Sequence, residues 1–174
     1  GAAALYRRAL ESRPFDPQLH NNLGTVYRAL GMPGEAYRSF EAAVSADPEY
    51  APAWNNLGLM LGGLGRADAA EAAYREALRL DAANTGAGVN LANAYAERGL
   101  HREALDLLRT VLREDPALPE AHYAMARLLE EAGDREGARR HYTLFLNTGR
   151  GRFGDLEARV RAHLAGPLTD GGTG

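Results

Sequence analysis

The chain has 174 residues, 45% of them apolar and 25% charged, a make-up that suits one globular domain or a short repeat array and excludes disorder throughout. A net charge of −3 and an isoelectric point near 6.0 leave no broad cationic surface, so nucleic acid is not an expected partner. The absence of cysteine removes disulfides, thiolate zinc sites and cysteine nucleophiles together.

In chain order, residues 1–16 read as a single helix with Ala2, Tyr6 and Ala9 on one face, closed by Pro14. From residue 17 the sequence repeats at a step of 34. One register holds Leu23, Leu57, Leu91 and Met125, and the next holds Gly24, Gly58, Ala92 and Ala126. Tyr27, Leu61, Tyr95 and Leu129 follow, then Gly31, Gly65, Gly99 and Gly133, then Ala36, Ala70, Ala104 and Ala138. Phe40, Tyr74, Leu108 and Tyr142 make a further register, then Ala43, Ala77, Val111 and Phe145. Each copy holds two apolar stripes with spacings of three and four, the pattern of two amphipathic helices. The four glycines of the Gly31 register fall where a helix ends in a left-handed residue. Pro48 and Pro116 fall where the second helix cannot continue. Gly24 and Gly58 cost their helices about 1 kcal/mol each relative to alanine; the expected offset is close approach of the partner helix at Ala36 and Ala70. The last copy is followed by a helix with Asp155 as its expected N-cap and Leu156, Val160 and Leu164 on one face, ending at Gly166-Pro167.

These registers resemble those of tetratricopeptide repeats (TPR). The resemblance covers residues 17–152 and implies an all-α, right-handed superhelical α-solenoid of helix-turn-helix repeats. The units expected on it are 17–50, 51–84, 85–118 and an atypical last copy at 119–152. Residues 1–16 match the second helix of a further, incomplete repeat, 153–166 make a capping helix, and 167–174 form a disordered tail. Trp54 stands where the family favours an aromatic; His20, Gly88 and His122 replace it elsewhere, which gives the histidines a packing role and leaves the third copy less well packed.

In TPR proteins the first helices of successive repeats line a groove that takes an extended peptide or a partner's helix. The resemblance places Gln18, Asn21, Asn22, Thr25, Arg28, Pro52, Asn55, Asn56, Leu59, Gly62, Val89, Asn90, Asn93, Glu97, Glu120, Tyr123, Arg127 and Glu130 on that groove. Asn22, Asn56 and Asn90 are one repeat apart, with Asn21, Asn55 and Asn93 beside them. An amide carries donors and an acceptor, so such a row suits a peptide backbone. It resembles the asparagine ladder in the TPR superhelix of O-linked N-acetylglucosamine transferases, whose catalytic domain this sequence lacks. The other reading is that the asparagines bond one another between repeats. The neighbouring groove positions Asn21, Asn55 and Val89 carry no lysine, which argues against a receptor for chaperone C-termini. Arg28 toward one end, and Glu97, Glu130 and Glu131 toward the other, favour a ligand with cationic residues opposite the fourth repeat.

No catalytic constellation is legible. The five histidines show no metal-binding spacing, and the glycines of the Gly24 and Gly31 registers fall on the repeat lattice, with no phosphate-binding loop or dinucleotide fingerprint after a strand. The expectation is therefore a non-catalytic protein-interaction module with no metal and no cofactor. The alternatives are a regulatory or substrate-recruiting part of a larger enzyme, and a self-assembly element. No apolar run reaches the roughly 18 residues that span a bilayer, so direct membrane insertion is not expected, and nothing names the compartment. The apolar face of Leu5, Tyr6 and Leu10 lacks the upstream half of its packing, which leads to the expectation of more chain upstream or of self-association through the N-terminal end.

Overall fold

The computed structural model describes residues 1–166, and the expected tail at 167–174 lies outside them. The described residues form ten α-helices and no strand: α1 (Ala2–Ser12), α2 (Pro17–Ala29), α3 (Pro33–Ala46), α4 (Ala51–Gly63), α5 (Ala67–Leu80), α6 (Thr85–Glu97), α7 (His101–Glu114), α8 (Pro119–Glu131), α9 (Arg135–Gly149) and α10 (Asp155–Ala165). They fall into two compact units, Gly1–Arg98 and a second that begins at Gly99.

Helix ends follow the sequence closely. Gly31, Gly65, Gly99 and Gly133 take φ between +70° and +81°, the left-handed turn that a side chain would strain. Asp16, Asn84 and Asp134 cap α2, α6 and α9 by accepting from the N–H three residues on. Between repeats, Asp47, Asp81 and Asp115 each accept from the N–H two residues on, closing the turn in which proline or alanine follows. The N-cap of α10 is Gly154 at φ +46°, not Asp155, which is its first helical residue.

In the first unit each helix packs on the next, and the first helices of neighbouring repeats also adjoin, α2 on α4 and α4 on α6. Buried Leu23, Phe40, Ala43, Leu57, Leu61, Tyr74 and Ala77 form its core, joined by Leu91 and Ala92. The partner helix does approach Gly24 and Gly58 closely, but through a different side chain from the expected alanines. A Cβ on Gly24 would lie 2.6 Å from Phe40 Cε1, and one on Gly58 2.5 Å from Tyr74 Cε1. The glycines therefore seat the partner helix's aromatic ring, not its alanines.

The Trp54 register has one shared function. Trp54 Nε1 donates to Pro48 O at 2.8 Å, while the Nε2 atoms of His20 and His122 lie 2.7 and 3.0 Å from Pro14 O and Pro116 O. In each case a ring N–H reaches six residues back and ties the first helix to the turn before it. Gly88 offers no ring, so the third copy lacks this tie.

In the second unit α7 packs on α8, α8 on α9 and α9 on α10. Ala126, Ala138, Tyr142, Phe145 and Val160 form its core, with Tyr123, Leu129, Leu146, Phe153, Leu156 and Leu164 against it. Glu157, 2% exposed, holds the loop before α10: its Oε1 accepts from Gly151 N at 2.6 Å and Phe153 N at 3.3 Å, and its Oε2 meets Arg161 at 3.0 Å.

Candidate functional site

The amides of α2, α4 and α6 are partly engaged with one another. Asn56 Nδ2 donates to Asn21 Oδ1 at 2.8 Å, and Asn90 Nδ2 donates to Asn55 Oδ1 at 2.9 Å. Both bonds join residues 35 apart, so each crosses from one repeat's first helix to its neighbour's, one position off the lattice. Asn21 and Val89 are each 7% exposed, and the Thr25 hydroxyl donates to Asn21 O at 3.1 Å. Asn22 is half-buried and Asn93 exposed, and among the described residues neither side chain makes a hydrogen bond, while Gln18, Arg28 and Pro52 are exposed.

Between α4, α5 and α6 lies a cleft of about 530 Å³ that brings together Leu59, Gly62, Asn90, Asn93 and Glu97. Tyr74 and Ala70 lie at its base and Arg98 at its edge. Burial, with the nearby Glu97 carboxylate adding to it, pushes the Tyr74 hydroxyl up to about 12, so it stays a neutral donor at any physiological pH. Arg98 is anchored by an ion pair to the buried Glu71 carboxylate, which also pairs with Arg75. Arg75 in turn lies 5.6 Å over the Tyr95 ring. The sequence offered no sign of this clamp, because Glu71 looks like any other helical glutamate until α6 is laid beside α5.

The expected groove residues of the fourth repeat are placed differently. α10 packs on the cluster that includes Tyr123, and His163 Nε2 lies 2.7 Å from Glu130 Oε1. Glu130 Oε2 accepts from the Tyr142 hydroxyl at 2.9 Å. Glu131 lies 3.5 Å from Arg127 and 3.6 Å from His101. Glu120 Oε1 meets Arg152 at 3.3 Å, and its Oε2 is buried without a partner. Most of the expected acidic attraction is thus met within the unit. On the other side of α8, His122 Nδ1 and His141 Nδ1 lie 3.1 Å apart. With His122 Nε2–H given to Pro116 O, the shared proton sits on His141. Burial lowers both rings' affinity for a further proton, although Asp115 opposes this at His122 and Asp134 at His141.

Two models described as tetratricopeptide repeat match the chain, over residues 16–83 and 97–159. The chain belongs to the tetratricopeptide repeat family. Solved structures agree: a thermophilic TPR protein of Thermus thermophilus, TTC0263, is 23% identical over 94% of this chain and 89% of its own, with a TM-score of 0.78. MamA is 24% identical over 88% and 90%, with a TM-score of 0.72. YrrB, described as a TPR protein with an unusual peptide-binding site, is 26% identical over 91% of this chain and 81% of its own, with a TM-score of 0.67. No curated protein matches the chain. As a TPR array it is a protein-interaction scaffold by architecture. Among the described residues no helix is long and apolar enough to cross a membrane, and no cluster of three or more histidine or acidic residues could hold a metal ion.

Proposed function

We propose that the chain holds an extended peptide against the face made by α2, α4 and α6, with one cationic side chain of that peptide in the cleft beside Glu97. The observation that carries this is the convergence of a free amide at Asn93, a half-engaged amide at Asn90, a neutral Tyr74 hydroxyl and the Glu97 carboxylate around the apolar Leu59 and Ala70. The amide bonds between repeats support the reading, since they fix Asn56 and Asn90 before a ligand arrives and reduce the ordering cost of binding. Peptides selected from a random displayed library, measured by calorimetry, test it. Enrichment of lysine or arginine is expected, with affinity lost in Asn93→Ala and Glu97→Gln. A selection without charge preference, unaffected by either change, overturns it.

A second reading rests on Leu5, 71% exposed on α1. Association of copies through this helix would appear in sedimentation as a concentration-dependent mass that Leu5→Glu abolishes.

A further inference from the structure

The second unit carries a cleft that none of the expected groove residues lines. It lies between α7 and α9, has a volume of about 790 Å³, and has Leu112, Met125 and Leu129 among its lining residues. Arg109, Arg113 and Arg140 surround that apolar floor, with Asp106, Thr110, Asp134 and His141 completing the wall. Asp134 is committed as the cap of α9, where it accepts from Gly137 N at 2.8 Å. Asp106 pairs with Arg109 at 2.6 Å. Among the described residues Arg113 bonds only the Thr110 hydroxyl, at 3.0 Å. Among the described residues no carboxylate lies within ion-pair reach of Arg113 or Arg140. The carboxylates are thus spent on local partners, and two guanidiniums remain unneutralised over an apolar floor.

We infer that this cleft binds an acidic, amphipathic peptide segment of a partner protein, with leucine-like side chains on Met125 and Leu129 and flanking carboxylates on Arg113 and Arg140. The guanidinium presents a planar fork of donors that matches a carboxylate in two parallel bonds. An apolar floor within a cationic rim selects for alternation of the two chemistries: a purely anionic chain leaves the floor wet, and a purely apolar one leaves the arginines unmatched. The proposal does not rest on the peptide face of α2, α4 and α6, and either can fail without the other.

The test uses the full chain and a fluorescein-labelled peptide of alternating Glu-Glu and Leu-Leu pairs, followed by anisotropy. Binding that weakens as salt is raised is expected, as is a loss of at least about tenfold in the double variant Arg113→Glu/Arg140→Glu. Arg113→Gln/Arg140→Gln should fall between, and circular dichroism shows whether each variant is folded. Asn93→Ala and Glu97→Gln should leave this binding unchanged, which separates it from the other face. Absence of binding, or equal binding to the folded double variant, overturns the inference. So does equal affinity for polyglutamate, since the apolar floor would then contribute nothing.

Discussion

The two units join their helices by opposite means. In the first, amides cross between α2 and α4 and between α4 and α6, and each aromatic ring beneath is seated on a glycine. In the second, the register of Asn22, Asn56 and Asn90 holds Ala124, and that of Asn21 and Asn55 holds Tyr123. There the rings of Tyr123, Phe145 and Phe153 follow one another at centroid distances of 5.3 and 5.2 Å, and Tyr142 meets His163 at 5.4 Å. One repeat backbone therefore supports two kinds of junction. Amides give directional bonds and leave polar atoms over, the feature on which the proposed peptide face rests. Rings give mass and dryness, which suits a face closed by α10.

The largest effect that would break this contrast is expected at Phe145, fully buried at the centre of the aromatic junction. Phe145→Ala should cost about 3–5 kcal/mol, seen as an early transition of the second unit in urea. A loss below about 1 kcal/mol would show that the rings are not what holds it. Next comes Gly24→Ala. In an open helix it would stabilise by about 1 kcal/mol; here the added Cβ meets the Phe40 ring, so a net loss of about 1–3 kcal/mol is expected. Phe40→Leu in the same chain should recover part of it, since the smaller side chain gives the added methyl room. A stabilising Gly24→Ala would reject the seat.

Acid should divide the units. Burial holds His122 and His141 below the ordinary imidazole value, so their neutral pair stabilises the fold above about pH 6.5 and that contribution is lost as pH falls through their lowered values. For Glu157, burial opposes the charged form, but the N–H groups of Phe153 and Gly151 and the Arg161 guanidinium outweigh it and the carboxyl is net lowered. Its contribution is complete above about pH 4.5 and fades below it. Thermal melts from pH 7 downward should show the second unit weakening in two stages, with Glu157→Gln flattening the lower one. An unchanged lower stage in that variant would remove Glu157 from the account.

The smallest effect sharpens the amide side. Asn56→Ala removes the donor to Asn21 and should cost about 0.5–1.5 kcal/mol before the helix gain of alanine is counted. Asn22→Ala removes no bond and should be neutral or stabilising. Equal melting temperatures for the two variants would mean that the inter-repeat bond contributes nothing.

Much of the fold was legible because a repeat writes each structural requirement four times. Gly31 to Gly133 announced the turns, and the Trp54 register announced a ring position before its bond to the preceding turn was known. What could not be read depends on the offset between neighbouring helices. Lattice arithmetic aligns Asn22 with Asn56, yet the bond runs from Asn56 to Asn21, because adjoining helices are displaced. The sequence pairs Gly24 and Gly58 with Ala36 and Ala70, not with Phe40 and Tyr74, because a helix pair read in one dimension does not show which side chain leans across. Glu130 and Glu131 read as free charge because His163 and His101 are remote in sequence and become partners only on folding. Glu157 gave no signal at all, since its role depends on the path of residues 150–154.

The crossing amides also give the α2, α4 and α6 face an arrow. Each bond runs from the later repeat to the earlier, so the amide atoms left wholly unused by it are Nδ2 of Asn21 and Asn55 and Oδ1 of Asn56 and Asn90. None of these atoms is sealed away without a partner. The unused donor of Asn21 on α2, the unused acceptor of Asn56 and donor of Asn55 on α4, and the unused acceptor of Asn90 on α6 make a strip whose sense reverses when it is read backwards. A peptide backbone has the same property, so the peptide proposed for this face and its retro-sequence, identical in composition and charge, would present different matches to it.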